Sequence, residues 1–478
     1  MNAMNLPRKL FLLLLPGAVL LAATPGALAQ PAGSAPLSLA QVLDLTRQHY
    51  PSIRARQAEL DAARFAVKER KDDYLPKTVF QAQALYATSN QVQGTFYPNE
   101  GTAIPIVGSI KPNTNTSDMV WSSFSTLYTD WAFFNFGKVK AGVRVARDEV
   151  GTRQAVLDNE VFQQQVRTAD AYLLLLVSSE VAHRQAANVR RAEVFRRTTT
   201  ARAAAGLRPG VDSSLADAEV ARARLQLAQA EQEAQTQRLR LAEFTGLPAT
   251  DVKADSAGFY HRLPMPATAT TSVPDSHPLL REALAAVQRG RDETALARLS
   301  WLPSLRLFGA AFARGSGIDN AKADNGGLIY HKGLWEGVNF RAYDVMAGPV
   351  VYWDLSNYWR ARNRTRQADY FRQSRQFDLD EQHLVLNREN EVADLTMQYA
   401  AENVGAADRQ LTAAQAAYRQ SLARYQAGLA NAVELTQAVT ILNRAEVDHA
   451  VAVAGTWQGL LKKAAATGDI AVFTNQAK

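Results

Sequence analysis

The side chains that could do catalysis are few and badly spaced. The chain has seven histidines and no cysteine. The histidines are dispersed, with no pair at metal-ligand spacing, so neither a zinc site nor any other metal site is expected. The absence of cysteine excludes disulfide staples, thiolate ligands, a cysteine nucleophile and an acceptor for N-terminal lipidation. Paired carboxylates such as Asp72-Asp73 lie in charged helical text and read as solvated surface. No phosphate-binding glycine loop, dinucleotide fingerprint, G-x-S-x-G or H-E-x-x-H occurs. No catalytic residue, no cofactor and no enzyme activity is therefore expected. A few polar residues stand at helix starts and turns. Asp212 follows Pro209-Gly210 and suits a helix N-cap. Glu434 suits a helix start through the dipole, Tyr425 suits packing in a seam, and Gly206 and Gly428 suit turns that need backbone freedom.

The elements that hold these residues follow from a repeat. Tyr50-Pro51-Ser52 and His277-Pro278-Leu279 stand at the same offset as Leu75-Pro76 and Leu302-Pro303. At a slightly shorter common offset, Gly206-Leu207 matches Gly428-Leu429, Val211-Asp212 matches Val433-Glu434, and Thr245-Gly246 matches Thr467-Gly468. Anchors in one order define two copies of one unit, 36–247 and 276–470, joined by a linker over 248–275 and followed by a tail over 471–478. Each copy predicts a helix from Ser38 to Tyr74, broken near Pro51, or from Pro278 to Trp301. Proline then starts an extended stretch. Strands are expected at Thr78–Thr88, Met119–Trp131, Leu305–Arg314 and Val338–Tyr352. Phe80, Ala82, Ala84 and Tyr86 would share one face of the first; Val120, Phe124 and Tyr128 would share one face of the second. Asp344 is out of place on a lipid-facing side. Ser89–Asp118 and Gly315–Gly337, rich in Gly, Asn, Pro and Asp, read as solvent loops.

The next run has no proline until Pro209, and its partner none from Ser356 to Ala427. About 68 residues of helix would reach roughly 100 Å. Such a helix needs its apolar stripe covered throughout. Ala216, Val220, Ala223, Leu227, Ala230 and Ala234 step by three and four residues, as do Ala438, Leu442, Ala445, His449 and Ala452. Here His449 reads as a packing variant of Leu227. Strands of about ten residues with one apolar side suit a membrane barrel, but eight strands is about the smallest such barrel and one chain supplies four. Cyclic association would close it and leave no edge exposed.

The N-terminus reads as a signal peptide over 1–29. Arg8 and Lys9 precede the apolar run Leu10 to Ala23, and Ala27-Leu28-Ala29 supplies a cleavage signal. No later stretch is long and apolar enough for a spanning helix, so residence in a membrane would require a closed β-barrel. The formal net charge of +7 comes from basic residues interleaved with acids. That pattern reads as solvated helix faces and argues against nucleic acid as a partner.

In order along the chain come the leader, Leu39 to Thr46 in the pattern L-x-x-V-L-x-x-T, the Leu-Pro strand entry, the turn Phe134-Asn135-Phe136-Gly137, and two helix turns. The turns are Ala205-Gly206-Leu207 with Val211-Asp212, and Tyr425-Gln426-Ala427-Gly428 with Val433-Glu434-Leu435. This order resembles the TolC-like outer-membrane efflux proteins, the outer membrane factors, over nearly all of the mature chain. The resemblance implies a mixed α and β membrane protein. Three copies would form a twelve-stranded β-barrel in outer-membrane lipid, joined to a periplasmic α-helical barrel. The function implied is that of an outer-membrane channel subunit of a tripartite efflux or type I secretion system. It would be a passive exit duct working with a periplasmic adaptor (membrane fusion protein) and an inner-membrane transporter. A periplasmic gate would include Asp212 and Tyr425 as a tether and Glu434 as a carboxylate ring. The second acidic position is Gln437 and the basic latch position is Ala430, both departures from the family pattern. Gly206, Leu207, Gly428 and Leu429 would meet the adaptor at the helix tips. The alternative is a soluble periplasmic coiled-coil scaffold or adaptor, with the same helices and no strand in lipid. Drugs, metal ions, polysaccharide and polypeptide are all compatible as cargo with so plain a tube.

Overall fold

A computed structural model describes residues 36–88, 117–205, 210–260, 262–265, 272–322 and 328–477. The expected leader at 1–29, most of the loop expected at Ser89–Asp118, and the tip residues Gly206 and Leu207 lie outside the described residues. The first repeat runs α1 (Leu39–His49), α2 (Pro51–Asp72), β1 (Lys77–Thr88), β2 (Met119–Phe134), α3 (Lys138–Ala204) and α4 (Gly210–Thr245). After a short α5 (Ala257–Tyr260) the second copy follows as α6 (Pro278–Arg298), β3 (Ser304–Ser316), β4 (Ile318–Lys322), β5 (Leu328–Tyr330), α7 (Leu334–Val338), β6 (Ala342–Tyr352), α8 (Asn357–Gln426) and α9 (Ala432–Thr467). A last turn, α10 (Ala471–Thr474), ends the fold. Among the described residues no helix is long and apolar enough to cross a membrane.

The repeat anchors turn out to be punctuation. Tyr50 and His277 are the extended N-caps of α2 and α6, because a residue before proline is pushed out of the helical region. Gly246 and Gly468 close α4 and α9 with φ of +70° and +74°, a left-handed turn that only glycine takes cheaply. Thr245 and Thr467, beside them, return their hydroxyls to Leu241 O at 3.1 Å and Lys463 O at 2.9 Å. Asn135 caps the start of α3 by accepting from Val139 N at 3.3 Å; Asp354 does the same for α8 by accepting from Asn357 N at 3.2 Å.

The four long strands form one antiparallel sheet in the order β1-β2-β3-β6, so β2 and β3 join the two repeats. Directly opposed residues share a face. One face carries Phe80, Leu127, Ala311 and Val345 in a single row across all four strands. Phe80 is 70% exposed and Val345 82%. The other face carries Gln81, Thr126, Phe312 and Asp344 in the adjacent row. On it Arg314 pairs with Asp344 at 3.0 Å, and Arg306 pairs with Asp130 through both guanidinium arms. This removes the difficulty with Asp344, and the face of β2 that Val120, Phe124 and Tyr128 share, as expected, is this ion-paired one. Phe124 and Tyr128 lie on the ion-pair face, opposite Arg314 and Ala310, while Leu127 and Trp131 take the apolar side. The strand expected from Val338 begins at Ala342 instead. Its first residues are spent on α7, which packs on β2 with Ser123 Oγ donating to Val338 O at 2.9 Å. The loop expected over Gly315–Gly337 contains the hairpin β4-β5.

The main core is a girdle where α1, the middle of α3 and the ends of α4 and α9 meet. Trp457, 1% exposed, donates Nε1–H to Phe259 O at 2.9 Å and packs on the rings of Phe259 and Phe473 at 4.8 and 6.2 Å. Within the expected linker over 248–275, Val252 and Phe259 are buried in the core. In the expected tail, Phe473 is fully buried, and Gln476 Oε1 accepts from Met265 N at 2.7 Å. The Tyr172 hydroxyl lies 3.0 Å from Leu37 O and accepts from Asp255 N at 3.0 Å, tying the segment before α1 to the joint. Burial pushes this phenol well above its ordinary value. Lys463 is buried between α8 and α9, where its ammonium meets Asp394 at 2.6 Å and Asn390 at 2.9 Å, partners a buried charge requires.

His277 closes the second repeat onto α9. Its Nδ1 accepts from Leu279 N at 3.1 Å and its Nε2 faces Ala465 O at 3.2 Å, which together select the neutral ring protonated at Nε2. Burial lowers its pKa from the ordinary 6.5. With the folded value depressed, the unfolded chain takes up the proton first. The stabilisation is complete above about pH 6.5 and is lost as pH falls through the folded value. His277→Gln should flatten that acid limb in urea melts run from pH 7.5 to pH 5; an unaltered limb would place the titration elsewhere.

Candidate functional site at the helix tips

α3 and α4 form one hairpin, α8 and α9 the other, and their far ends bring the expected gate residues to one end of the molecule. The seams hold as read. Val220 and Ala223 of α4 are buried against Val189 and Ala192 of α3, and Ala216 is buried in the neighbouring cluster that holds Phe195. Leu442 and Ala445 of α9 pack on Ala414 of α8. His449 additionally faces Asp408 Oδ1 at 3.0 Å.

Tyr425, in the last turn of α8, is 1% exposed and belongs to an apolar plug with Phe195, Ala216, Leu435 and Val439, so residues of both hairpins surround it. Its ring meets Phe195 edge-on at 5.7 Å. Its hydroxyl is 3.1 Å from Thr199 Oγ1, which also donates to Phe195 O at 2.8 Å. Arg202 of α3 lies over the same ring at 5.3 Å and spreads its guanidinium to Tyr425 O at 2.9 Å and Gln426 O at 3.0 Å. These carbonyls belong to the last turn of α8 and carry the negative end of the helix dipole. Arg202 is thus a forked clasp from the first hairpin onto the terminus of the second. A second clasp stands higher up: Arg191 of α3 binds both carboxylate oxygens of Glu446 of α9 at 3.1 and 2.6 Å. Between α9 and α4, Asn443 Nδ2 reaches Gln226 Oε1 at 3.5 Å.

Asp212 stands half-buried in the first turn of α4, one turn before the plug residue Ala216. It is not hydrogen-bonded to Tyr425 in the chain, so the structure brings the expected tether pair to one end without joining them. Glu434 is in the first turn of α9, where Asn431 Oδ1 caps its N–H at 2.8 Å, and its carboxylate pairs with Arg424 at 3.1 Å. Gln437 is exposed one turn on. Ala430, at the expected latch position, is 7% exposed and packs in the plug. Gly428 has φ +80°, and the turn closes with Gly428 N to Tyr425 O at 3.1 Å and Leu429 N to Arg424 O at 2.9 Å. Leu429 is left 73% exposed at the tip. Sequence reasoning missed Arg202, Thr199, Arg424 and the Arg191–Glu446 pair. The only available signal was a basic residue in the last turn of α3 and of α8, which ordinarily answers its own helix's dipole.

The model for the outer membrane efflux protein family matches residues 42–247 and 272–458. Similar solved structures include the outer membrane protein VceC from Vibrio cholerae, with 16% identity over 90% of this chain and 96% of that one and a TM-score of 0.70. The Campylobacter jejuni CmeC outer membrane channel has 15% identity over 90% and 85%, with a TM-score of 0.68. The open state of the Neisseria gonorrhoeae MtrE outer membrane channel has 16% identity over 90% and 89%, with a TM-score of 0.65. These share the fold. No curated protein sequence matches the chain. The chain belongs to the outer membrane efflux protein family, and its function is that of an outer-membrane efflux channel subunit.

Proposed function

We propose that three copies close the sheet into a twelve-stranded barrel in outer-membrane lipid, and close the helices into a periplasmic tunnel. The observation that carries this is the sheet. Its strands of 12, 16, 13 and 11 residues are each long enough to span, since about 9–11 tilted residues cross the hydrocarbon. Its apolar face is exposed over the half toward the long helices, α7 covering only the far end of β2, and within the described chain β1 and β6 are each paired on one side only. Four strands cannot close alone, and an open edge in lipid leaves backbone groups unsatisfied. The Arg306–Asp130 and Arg314–Asp344 pairs then face the bore, where water tolerates them.

The duct is passive and not an enzyme. Export into the periplasm follows from the leader at 1–29. Energy comes from an inner-membrane transporter reached through a periplasmic adaptor, which meets the tips around Gly206, Leu207, Gly428 and Leu429. The gate is the contact between the two hairpins. Opening swings the α8–α9 hairpin away from α3, which unseats Tyr425 and breaks the Arg202 clasp. Asp212 contributes across subunits, and Glu434 with its Arg424 partner and Gln437 set the charge around the tip.

Fractionation tests this reading. The protein is expected in the outer-membrane pellet after a salt wash and is released by detergent as a trimer. Recovery as a monomer in the salt wash would instead make it a soluble coiled-coil scaffold.

A further inference from the structure

All four long strands meet the helices at one end, and large aromatics gather there. Trp301 packs on Trp353 at 6.3 Å and edge-on against Tyr358 at 5.8 Å; Trp359 meets Tyr358 at 5.3 Å and is 64% exposed. Trp353 Nε1 donates to Trp301 O at 3.1 Å. Exposed indoles at the foot of an apolar sheet mark the boundary between hydrocarbon and water. Just beyond it, both helices leaving the sheet carry cations only. α8 opens with Arg360, Arg362, Arg364 and Arg366, and no acid stands between Asp354 and Asp369. α3 opens with Lys138, Lys140, Arg144 and Arg147, and no acid stands between Asp130 and Asp148. Arg144 leans on Asp292 at 3.6 Å. The four α8 arginines are exposed, and Arg362 stacks 6.0 Å from the Trp359 ring. Asp354, the nearest acid, is committed to capping, accepting from Ser356 Oγ at 2.6 Å and Asn357 N at 3.2 Å.

We propose that this arginine row is a binding surface for anionic phospholipid headgroups, a proposal that rests on the channel reading above. At 1.5 Å per residue, Arg360 to Arg366 stand about 5–14 Å beyond the start of α8. The headgroup layer of one leaflet is about 5–8 Å deep, and long cationic side chains reach back toward it. A guanidinium forks onto phosphate oxygens, with charge assistance on both sides. Around the helix, Arg360 and Arg364 fall on one side of the buried Ala361, and Arg362 and Arg366 on the other. In a barrel wall one pair faces the lipid and the other the bore. The outward pair holds the phosphates, continuing the apolar sheet face into the polar layer and fixing the depth of the channel.

The test reconstitutes the full chain in vesicles of brominated phosphatidylglycerol or brominated phosphatidylcholine and reads tryptophan quenching by each. The wild type should prefer the anionic lipid roughly tenfold at low salt, with the preference collapsing toward unity at about 0.5 M salt. One of the double variants, R360Q/R364Q or R362Q/R366Q, should lose most of the preference while the other keeps it. Equal quenching by both lipids in the wild type, or a preference that neither variant changes, overturns the proposal. If a variant fails to assemble, the salt titration of the wild type decides. A chain that never enters the vesicles overturns the channel reading itself, and is told apart by its recovery in the supernatant.

Discussion

Arg202→Ala should leave an assembled trimer whose tips no longer stay shut, with mean conductance in planar bilayers rising several-fold. The clasp places one cation on two α8 carbonyls, at 2.9 and 3.0 Å. A shielded hydrogen bond to a charged group contributes about 1.5–3 kcal/mol. Arg202 is only half-buried, and discounting for solvent leaves about 2 kcal/mol for the fork as a whole. Every 1.4 kcal/mol or so is a factor of ten, so each subunit's closed tip loses a bias of roughly thirtyfold. Arg202→Lys keeps the charge but cannot fork, and should fall between the two. Tyr425→Phe removes the hydroxyl that meets Thr199 but keeps the ring and the carbonyl that Arg202 grips, and should leak less than Arg202→Ala. An Arg202→Ala trimer with wild-type conductance would move the gate elsewhere, first of all to a contact between subunits involving Asp212.

Gly468→Ala should be among the most destabilising single changes in the chain, and Gly246→Ala its internal control. Both glycines close the inner end of a hairpin with positive φ, so a methyl at either costs about 1–2 kcal/mol of backbone strain. Around Gly246 there is open space, and the cost should stop there. At Gly468 the new Cβ would meet His277 at 2.6 Å from Cδ2 and 2.9 Å from the backbone Cα, which cannot swing away. Overpacking of this kind adds about 1–3 kcal/mol. Denaturant melts should separate the two variants by that amount; equal losses would mean that His277 yields.

The repeat made much of this fold legible, because its anchors are backbone events. A proline at a helix start and a glycine at a helix end force local geometry whatever packs around them, and Pro51, Pro278, Gly246 and Gly468 mark true boundaries. The long helices were equally legible from small residues at seam spacing. Which face of β2 joins the apolar side of the sheet was not. Its apolar residues occupy both faces, Phe124 and Tyr128 on one and Leu127 and Trp131 on the other, and pairing with β1 and β3 decides between them. How the joint and the tail dock was not legible, because Val252, Phe259 and Phe473 stand in stretches too short to show a period, and only the girdle gives their places. At the tips, sequence order places Tyr425, Glu434 and Asp212 at turns but carries no record of which hairpin faces which. Arg202 acts on a helix more than two hundred positions away, beyond the reach of any local pattern.

The central claim is that three open sheets shut edge to edge, β1 of one copy against β6 of the next. The chain has no native cysteine, so a pair introduced at Ala84 in β1 and Ala347 in β6 reports on that edge alone. Oxidation in native membranes should give covalent trimers on denaturing gels, with each single-cysteine variant remaining monomeric. Cross-linking confined to one chain, or absent throughout a panel of neighbouring edge positions, would contradict a shared barrel.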